Sequence, residues 1–422
     1  MADDQASRRE QRKDLAAGES AAAGASSLSQ RARLREVVTL FLRLGFTAFG
    51  GPAAHIAMMR EEVVQRRKWM DDERFVDLIG IANLLPGPSS TELAIYLGYL
   101  RAGWPGLLLA GICFIMPAMA LVLALAWAYV AYGALPQVGW LLYGIQPVVV
   151  AIITQAIWNL GRAVFKGVLA LFIAILVLAL YLLGVNVLIL LFGGAACYGI
   201  LRVLRDRWSG KPTAMSFALP LLWECLHAPW KTPLSLLSAV SVTVAPFSLL
   251  VLFLTFLKMG AVVYGSGYTL LAFLRADLVQ NLHWLTDKQL LDAISVGQFT
   301  PGPVFTTATF IGYVLGGWSG ALLATLGIFL PSFAFIALIH PLAARLRRAR
   351  VTGILLDGVN AAALALMTGV LFQLGQHALI DVVTWAVALI ALLILLRFKV
   401  NSFWLILAGA AIGPLRFWVL GG

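Results

Sequence analysis

Charge is scarce in this sequence, and that scarcity excludes a soluble globular chain. Asp, Glu, Lys and Arg make up 12% of the 422 residues, against 61% hydrophobic residues, and a soluble domain carries about twice that charge. Cysteine is rare as well. Cys113, Cys197 and Cys225 lie far apart with no CxxC spacing, so neither a disulfide framework nor a thiolate metal centre is indicated. The five histidines form no HxxxH or HExxH pattern, and no metal or other cofactor is expected. No GxxxxGK[ST] phosphate loop is present, so drive by ATP would need a separate subunit. An enzyme working inside a membrane would need a nucleophile beside a base. Ser89 with Glu92 is the nearest approach to one, and no histidine is placed to help.

What the sequence does have is apolar length. From Val37 onward, stretches of the ~20 residues that cross a bilayer recur almost to the end, and mean hydropathy is +0.89. Residues 1–36 are the exception. They are rich in Ala, Ser and Gly, carry the run Arg8 to Asp14, and read as a disordered cytoplasmic tail. The net charge of +11 sits mostly in this tail and in short loops between apolar spans. That is the placement set by the positive-inside rule, so nucleic acid is not expected as a partner, and membrane lipid is.

The chain repeats itself. Phe41-Leu-Arg-Leu-Gly45 matches Phe256-Leu-Lys-Met-Gly260, Trp69 matches Trp284, Asp72 matches Asp287, and Pro86-Gly87-Pro88 matches Pro301-Gly302-Pro303, all at an offset of 215 residues. One deletion later, Gly103-Trp104 matches Gly317-Trp318, Gly144 matches Gly358 and Gly194 matches Gly409. Two transport repeats are therefore expected at 37–205 and 246–422, joined by a linker at 206–245. Loop charges orient them. The first half is neutral near 131–139 and basic at Arg162 and Lys166, whereas the second is basic at Arg345, Arg347, Arg348 and Arg350 and neutral where Arg162 would fall. Lys and Arg gather on the cytoplasmic side, so the halves read as an inverted-topology repeat in an all-α polytopic membrane protein, an architecture of secondary transporters. The linker then adds one crossing. Loop 60–74, with Arg66, Arg67 and Lys68, fits in one of two ways: it is extracytoplasmic against the rule, or the segment before it is re-entrant.

Each half also breaks its helices in the same two places. The first break is at Gly50 and Gly51, matched by Gly265. The second is Asn83-Leu84-Leu85-Pro86-Gly87-Pro88-Ser89-Ser90-Thr91, matched by Gln298-Phe299-Thr300-Pro301-Gly302-Pro303 and then by Thr306 and Thr307. Pro-Gly-Pro cannot continue a helix, but a proline opens one well. Broken backbone at membrane depth is tolerated only inside protein or along a water-filled cavity. A helix opened there offers free amides and a positive dipole end to an anion, with Ser89, Ser90, Thr91, Thr306 and Thr307 adding hydroxyls. The alternative is a proline kink whose hydroxyls bond back to the preceding turn. Arg43 and Lys258 stand at equivalent positions before the glycine breaks, either to pair with an anion or to snorkel. Glu92, replaced by Thr307 in the second half, is either a proton carrier or a first-turn carboxylate. Asp72, Asp77, Asp287 and Asp292 are expected to cap and solubilise helix starts, with Thr286 and Gln289 at capping-box spacing. Arg60 and Arg275 are expected at the headgroups, Trp69, Trp104, Trp284 and Trp318 in the aromatic belt, and His55 as a packing or interfacial residue.

With these paired signatures, Phe41 to Pro52 and Asn83 to Pro88 against Phe256 to Gly260 and Phe299 to Pro303, the chain resembles the chromate ion transporter family in its two-domain form. The resemblance covers roughly 37–420. It implies efflux of chromate across the bacterial inner membrane, driven by an ion gradient, and resistance to chromate; the proton is the coupling ion expected. Chromate and sulfate share shape and charge, and the residues do not separate a chromate exporter from a transporter of sulfate or another tetrahedral oxyanion. A passive anion channel and a homo-oligomer also stay open. The second half departs from the fuller Gly-Gly-Pro pattern, reading Gly265-Ser266-Gly267, which points to an asymmetric site.

Overall fold

The computed structural model describes residues 29–133, 135–165, 167–208, 247–264, 267–339, 350–398 and 400–420. Of the expected tail, residues 1–28 lie outside them, as do the linker crossing, Lys166, Gly265 and the arginines at 345, 347 and 348, whereas residues 30–36 of that tail are helical instead. Every regular element among the described residues is a helix.

In the first half α1 (Gln30–Thr47) buries Val37, Leu40, Phe41, Leu44 and Gly45, which fall on one stripe at helical spacing. After the break at Gly50 come α2 (Gly51–Arg60), a π-helical turn (Glu61–Arg66), α3 (Asp72–Ala82) and α4 (Ser89–Tyr132). Asp71 starts α3 by accepting the Arg74 amide at 2.7 Å. α4 is two helices in one, because Ala102 and Gly103 leave helical geometry. Beyond that corner the chain folds back tightly, so that a Cβ on Gly98 would overlap the Gly106 carbonyl.

Contacts at the helix ends show that both early segments are re-entrant. Arg101, at the end of the first arm of α4, donates to Glu36 near the start of α1 at 2.7 and 3.0 Å and lies 5.1 Å from the Trp69 ring. Arg43 reaches Glu62 at 3.4 Å. The α1–α2 pair and the α3–α4 pair are thus two hairpins that begin and end at one level, with Gly50–Gly51 and Pro86-Gly87-Pro88 at their tips. Of the two readings of loop 60–74, these hairpins favour the re-entrant one.

The first half closes with α5 (Pro136–Val164), α6 (Val168–Leu182) and α7 (Val187–Trp208). The second half repeats the plan with α8 (Leu249–Val262), a 3-10 turn (Gly267–Thr269), α9 (Leu270–Leu274), a π-helical turn (Arg275–Asn281), α10 (Asp287–Phe299) and a 3-10 turn (Val304–Thr306). α11 (Thr307–Ile339), α12 (Arg350–Ala378), α13 (Val382–Arg397) and α14 (Ser402–Leu420) follow. α10 carries the expected capping box between Thr286 and Gln289. α11 turns its corner at Gly316 and Gly317, the counterparts of Ala102 and Gly103.

Five described segments are long and apolar enough to cross a membrane: Ser89–Tyr132, Pro136–Val164, Val187–Arg205, Val304–Leu338 and Gly353–Ala378. Four shorter apolar helices accompany them: Val168–Leu182, Leu249–Val262, Val382–Arg397 and Ser402–Arg416. The protein is a multi-pass membrane protein. Leu108, Ile112 and Met116 on α4 are exposed at i, i+4 spacing, and so are their counterparts Leu322, Leu326 and Leu330 on α11, which gives each half the same lipid-facing stripe.

The halves are interlaced. α5 meets α14 where a Cβ on Gly144 would overlap the Gly409 carbonyl, and α12 meets α7 where a Cβ on Gly358 would stand 2.9 Å from the Ala195 Cα. Small residues let helix backbones approach this closely in a bilayer, where dispersion contacts rather than water exclusion drive packing. Gly144→Leu is therefore expected to cost at least the ~1–3 kcal/mol of an overpacked core, seen as a lower unfolding midpoint in detergent. An unchanged midpoint would show that α5 and α14 are free to separate.

Candidate functional site

The four broken tips meet. The Gly87 amide donates to the Val263 carbonyl at 2.7 Å, and the Gly302 amide donates to the Ala48 carbonyl at 2.8 Å. Val263 is the counterpart of Ala48 and Gly302 that of Gly87, so one bond is the pseudo-two-fold image of the other. Each Pro-Gly-Pro tip is tied to the other half's glycine break. Gly87 (φ +132) and Gly302 (φ +91) both sit where side-chain-bearing residues are strained, and both are buried with their flanking prolines. The Tyr268 hydroxyl comes close to Gly51, within 3.3 Å of where a Cβ would stand.

This geometry changes the expected chemistry of the tips. The sequence suggests free amides at the glycines, but the Gly87 and Gly302 amides are spent on the partner half. In the second half the hydroxyls turn back as well: Thr306 donates to the Pro303 carbonyl and Thr307 to the Val304 carbonyl, both at 2.8 Å. In the first half Ser90 and Thr91 do not. Ser90 faces His55 Nδ1 at 3.3 Å, while His55 Nε2 meets the Ala48 carbonyl at 3.0 Å. Thr91 Oγ1, both carboxyl oxygens of Glu92 and Ser332 Oγ are buried without a hydrogen-bond partner. A Cβ on Gly87 would stand 2.5 Å from Glu92 Oε1 and 2.8 Å from Ser332 Oγ. On the second half's side the equivalent neighbour of Gly302 is Ala118. Around Gly87 the junction is polar with unsatisfied hydroxyl and carboxyl groups, whereas around Gly302 the hydroxyls of Thr306 and Thr307 are satisfied.

The cations expected near the glycine breaks have partners. Arg43 meets Glu62 at 3.4 Å, and Lys258 meets the counterpart Asp277 at 2.6 Å. Glu62 also takes Arg66 and Arg67 at 2.9 and 3.2 Å, and Arg66 takes Glu61 at 2.7 Å. Between α1 and α2 lies an opening of about 120 Å³ lined by Arg43, Leu44, Thr47, Met58, Glu61, Glu62 and Arg66. Asn83 is exposed, and Gln298 is partly buried with its amide nitrogen unpartnered.

Several expectations for the flanking residues are corrected. Arg60 and Arg275 form forked pairs with Asp72, both contacts at 2.6 Å, and with Asp287 at 2.7 and 3.1 Å. The Arg60 hydrogen bonds hold the Asp72 carboxyl below its ordinary value. Asp292 does not solubilise a helix start. It is buried, with its carboxyl accepting from Tyr129 at 2.9 Å and Gln146 at 2.8 Å. His55 is the packed residue the sequence suggests, yet it also ties the first glycine break to the segment after Pro88. Trp104 and Trp318 are exposed and stack edge-on against Tyr99 and Tyr313, as belt residues would.

Comparison with known proteins agrees with the two-fold plan. A family described as chromate transporter matches residues 35–200 and again 250–414. A chromate transport protein of Cupriavidus metallidurans is 34% identical over 392 residues, which are 93% of this chain and 95% of that relative. A probable chromate transport protein of Synechococcus elongatus is 30% identical over 369 residues, 85% of this chain and 89% of the relative. A chromate transport protein of Pseudomonas aeruginosa is 34% identical over 338 residues, 80% of each. No solved structure matches.

Proposed function

Because the chain belongs to the chromate transporter family, we propose that it exports chromate from the bacterial cytoplasm by secondary active transport, with its N-terminus cytoplasmic, and so confers resistance. The observation that carries the reading is the reciprocal pair of bonds, Gly87 to Val263 and Gly302 to Ala48. In an inverted repeat, symmetry-related contacts face opposite sides of the membrane, so opening one while the other stays closed exposes the junction to one side at a time. Alternating access by rocking one repeat against the other works in this way. The binding residues are those at the four tips, Gly50, Gly51, Ser89, Ser90 and Thr91 in the first half and Thr306 and Thr307 in the second, with the two Pro-Gly-Pro turns holding the tips together rather than donating to the anion. The first half contributes more, because its hydroxyls are not all spent on backbone. The opening beside Arg43 and Arg66 is the cytoplasmic mouth, where these two arginines stand against Glu61 and Glu62.

Everted membrane vesicles containing the protein are expected to accumulate chromate when a proton gradient is imposed, and sulfate is expected to compete weakly. Uptake no greater than in empty vesicles, with the protein folded and inserted, would remove chromate export as the function. Sulfate competing as well as chromate would widen the substrate to tetrahedral oxyanions.

A further inference from the structure

Glu92 is the single acidic residue in the 44-residue helix α4. It is fully buried, and neither carboxyl oxygen has a hydrogen-bond partner. No cation faces it. α11, which brings Ser332 against it, contains no Asp, Glu, Lys, Arg or His. From the break after α8, Tyr264 directly follows Val263, the acceptor of the Gly87 amide, and Lys258 on α8 is engaged with Asp277. From α2, His55 is occupied by Ser90 and Ala48, and Arg43 on α1 is occupied by Glu62. A carboxylate without partner or counter-ion is strongly disfavoured in a low-dielectric interior, so this group is stable there only with its charge removed.

Its position links it to the gate. Glu92 Oε1 and Ser332 Oγ crowd Gly87, whose amide makes one of the two bonds between the halves. Parting of Gly87 from Val263 would admit water to the carboxyl and let it ionise, and closure would require it to be neutral again. The second half has no such group, since Thr307 replaces Glu92 and bonds to the Val304 carbonyl.

We propose that Glu92, with Ser332 and Tyr264 beside it, is the one site that carries the coupling proton through the junction. The proposal rests on the secondary-transport reading above and names its proton carrier. In each cycle the carboxyl binds one proton from water on one side, is sealed in neutral form when the Gly87–Val263 contact closes, and releases that proton to water on the other. No other bond is made or broken.

The test uses the full-length protein in liposomes. Wild type is expected to accumulate chromate under an imposed pH gradient and to exchange chromate at symmetric pH. Glu92→Gln, which is neutral at every pH, is expected to lose gradient-driven accumulation and the pH dependence of exchange. Glu92→Asp is expected to keep part of both. Infrared difference spectra between low and high pH, taken without chromate, are expected to show a protonated-carboxyl band that disappears in Glu92→Gln. Gradient-driven accumulation by Glu92→Gln at the wild-type level would overturn the proposal, and so would a band unchanged by the substitution. A wild type that neither exchanges nor accumulates chromate would instead overturn the transport reading, and the infrared result would still decide whether Glu92 takes up a proton.

Discussion

Gly87→Val is expected to reach the membrane in normal amount and to move no chromate. Two costs fall on the substitution. At φ +132 a β-branched residue is strained by about 1–3 kcal/mol. Its Cβ would also stand 2.5 Å from Glu92 Oε1 and 2.8 Å from Ser332 Oγ, so both buried side chains must shift. The rest of the fold does not depend on this tip, because the interlaced helices α5, α7, α12 and α14 meet elsewhere. The damage should therefore fall on the Gly87–Val263 contact and on the residues around it. Gly302→Val is the symmetry-related experiment. There the added Cβ would press on Ala118 at 2.6 Å, an apolar neighbour, so transport should be lost without change in the Glu92 infrared band. Transport assays on both variants, with surface expression and elution profile as controls, separate a blocked junction from a misfolded chain. Normal flux in both would move the site away from the Pro-Gly-Pro tips. Gly87→Ala keeps the strain and removes much of the bulk, so its residual flux would apportion the two costs.

The repeat and its inversion were readable because they rest on residues with few substitutes. Glycine, proline and tryptophan kept their spacing across 215 residues, and short basic loops report orientation whatever the packing. The capping box at Thr286 was readable for the same reason: it closes within four residues. The partners across the junction were not. Glu92 and Ser332 are brought together by the pseudo-two-fold, and a sequence has no periodicity that pairs positions so far apart. The two backbone bonds, Gly87 to Val263 and Gly302 to Ala48, involve no side chain and leave no mark in composition. Arg43 and Lys258 were seen as equivalent, and their partners Glu62 and Asp277 stand at the same offset. That match was available as a signal and was missed, because acids in a loop read as solvated. The re-entrant hairpins lie between these cases: the arginines of loop 60–74 contradicted a plain crossing, and the Arg101 contacts with Glu36 and Trp69 resolved the contradiction.

Asp292→Ala is expected to produce one of the largest losses of stability in the molecule. Tyr129 and Gln146 both donate to this buried carboxyl, and removing it leaves the buried Gln146 and the partly buried Tyr129 unpaired, at up to about 1–3 kcal/mol each. Its counterpart Asp77 is exposed, so Asp77→Ala should stay within about 0.5 kcal/mol of wild type, and the pair of variants measures how far the two repeats have diverged. The cluster joins the far arm of α4 and the middle of α5, both in the first half, to α10 in the second. If its role is to fix that contact, an apolar replacement of all three partners (Asp292→Leu, Tyr129→Phe and Gln146→Leu) should recover most of the stability, because a buried polar group is costly chiefly when left half-paired. Unfolding midpoints in detergent test this directly. Recovery of stability together with transport would make the cluster a structural clasp. Recovery of stability with transport still absent would place Asp292 on the transport pathway, on the side of the junction where the hydroxyls are already spent and Glu92 has no counterpart.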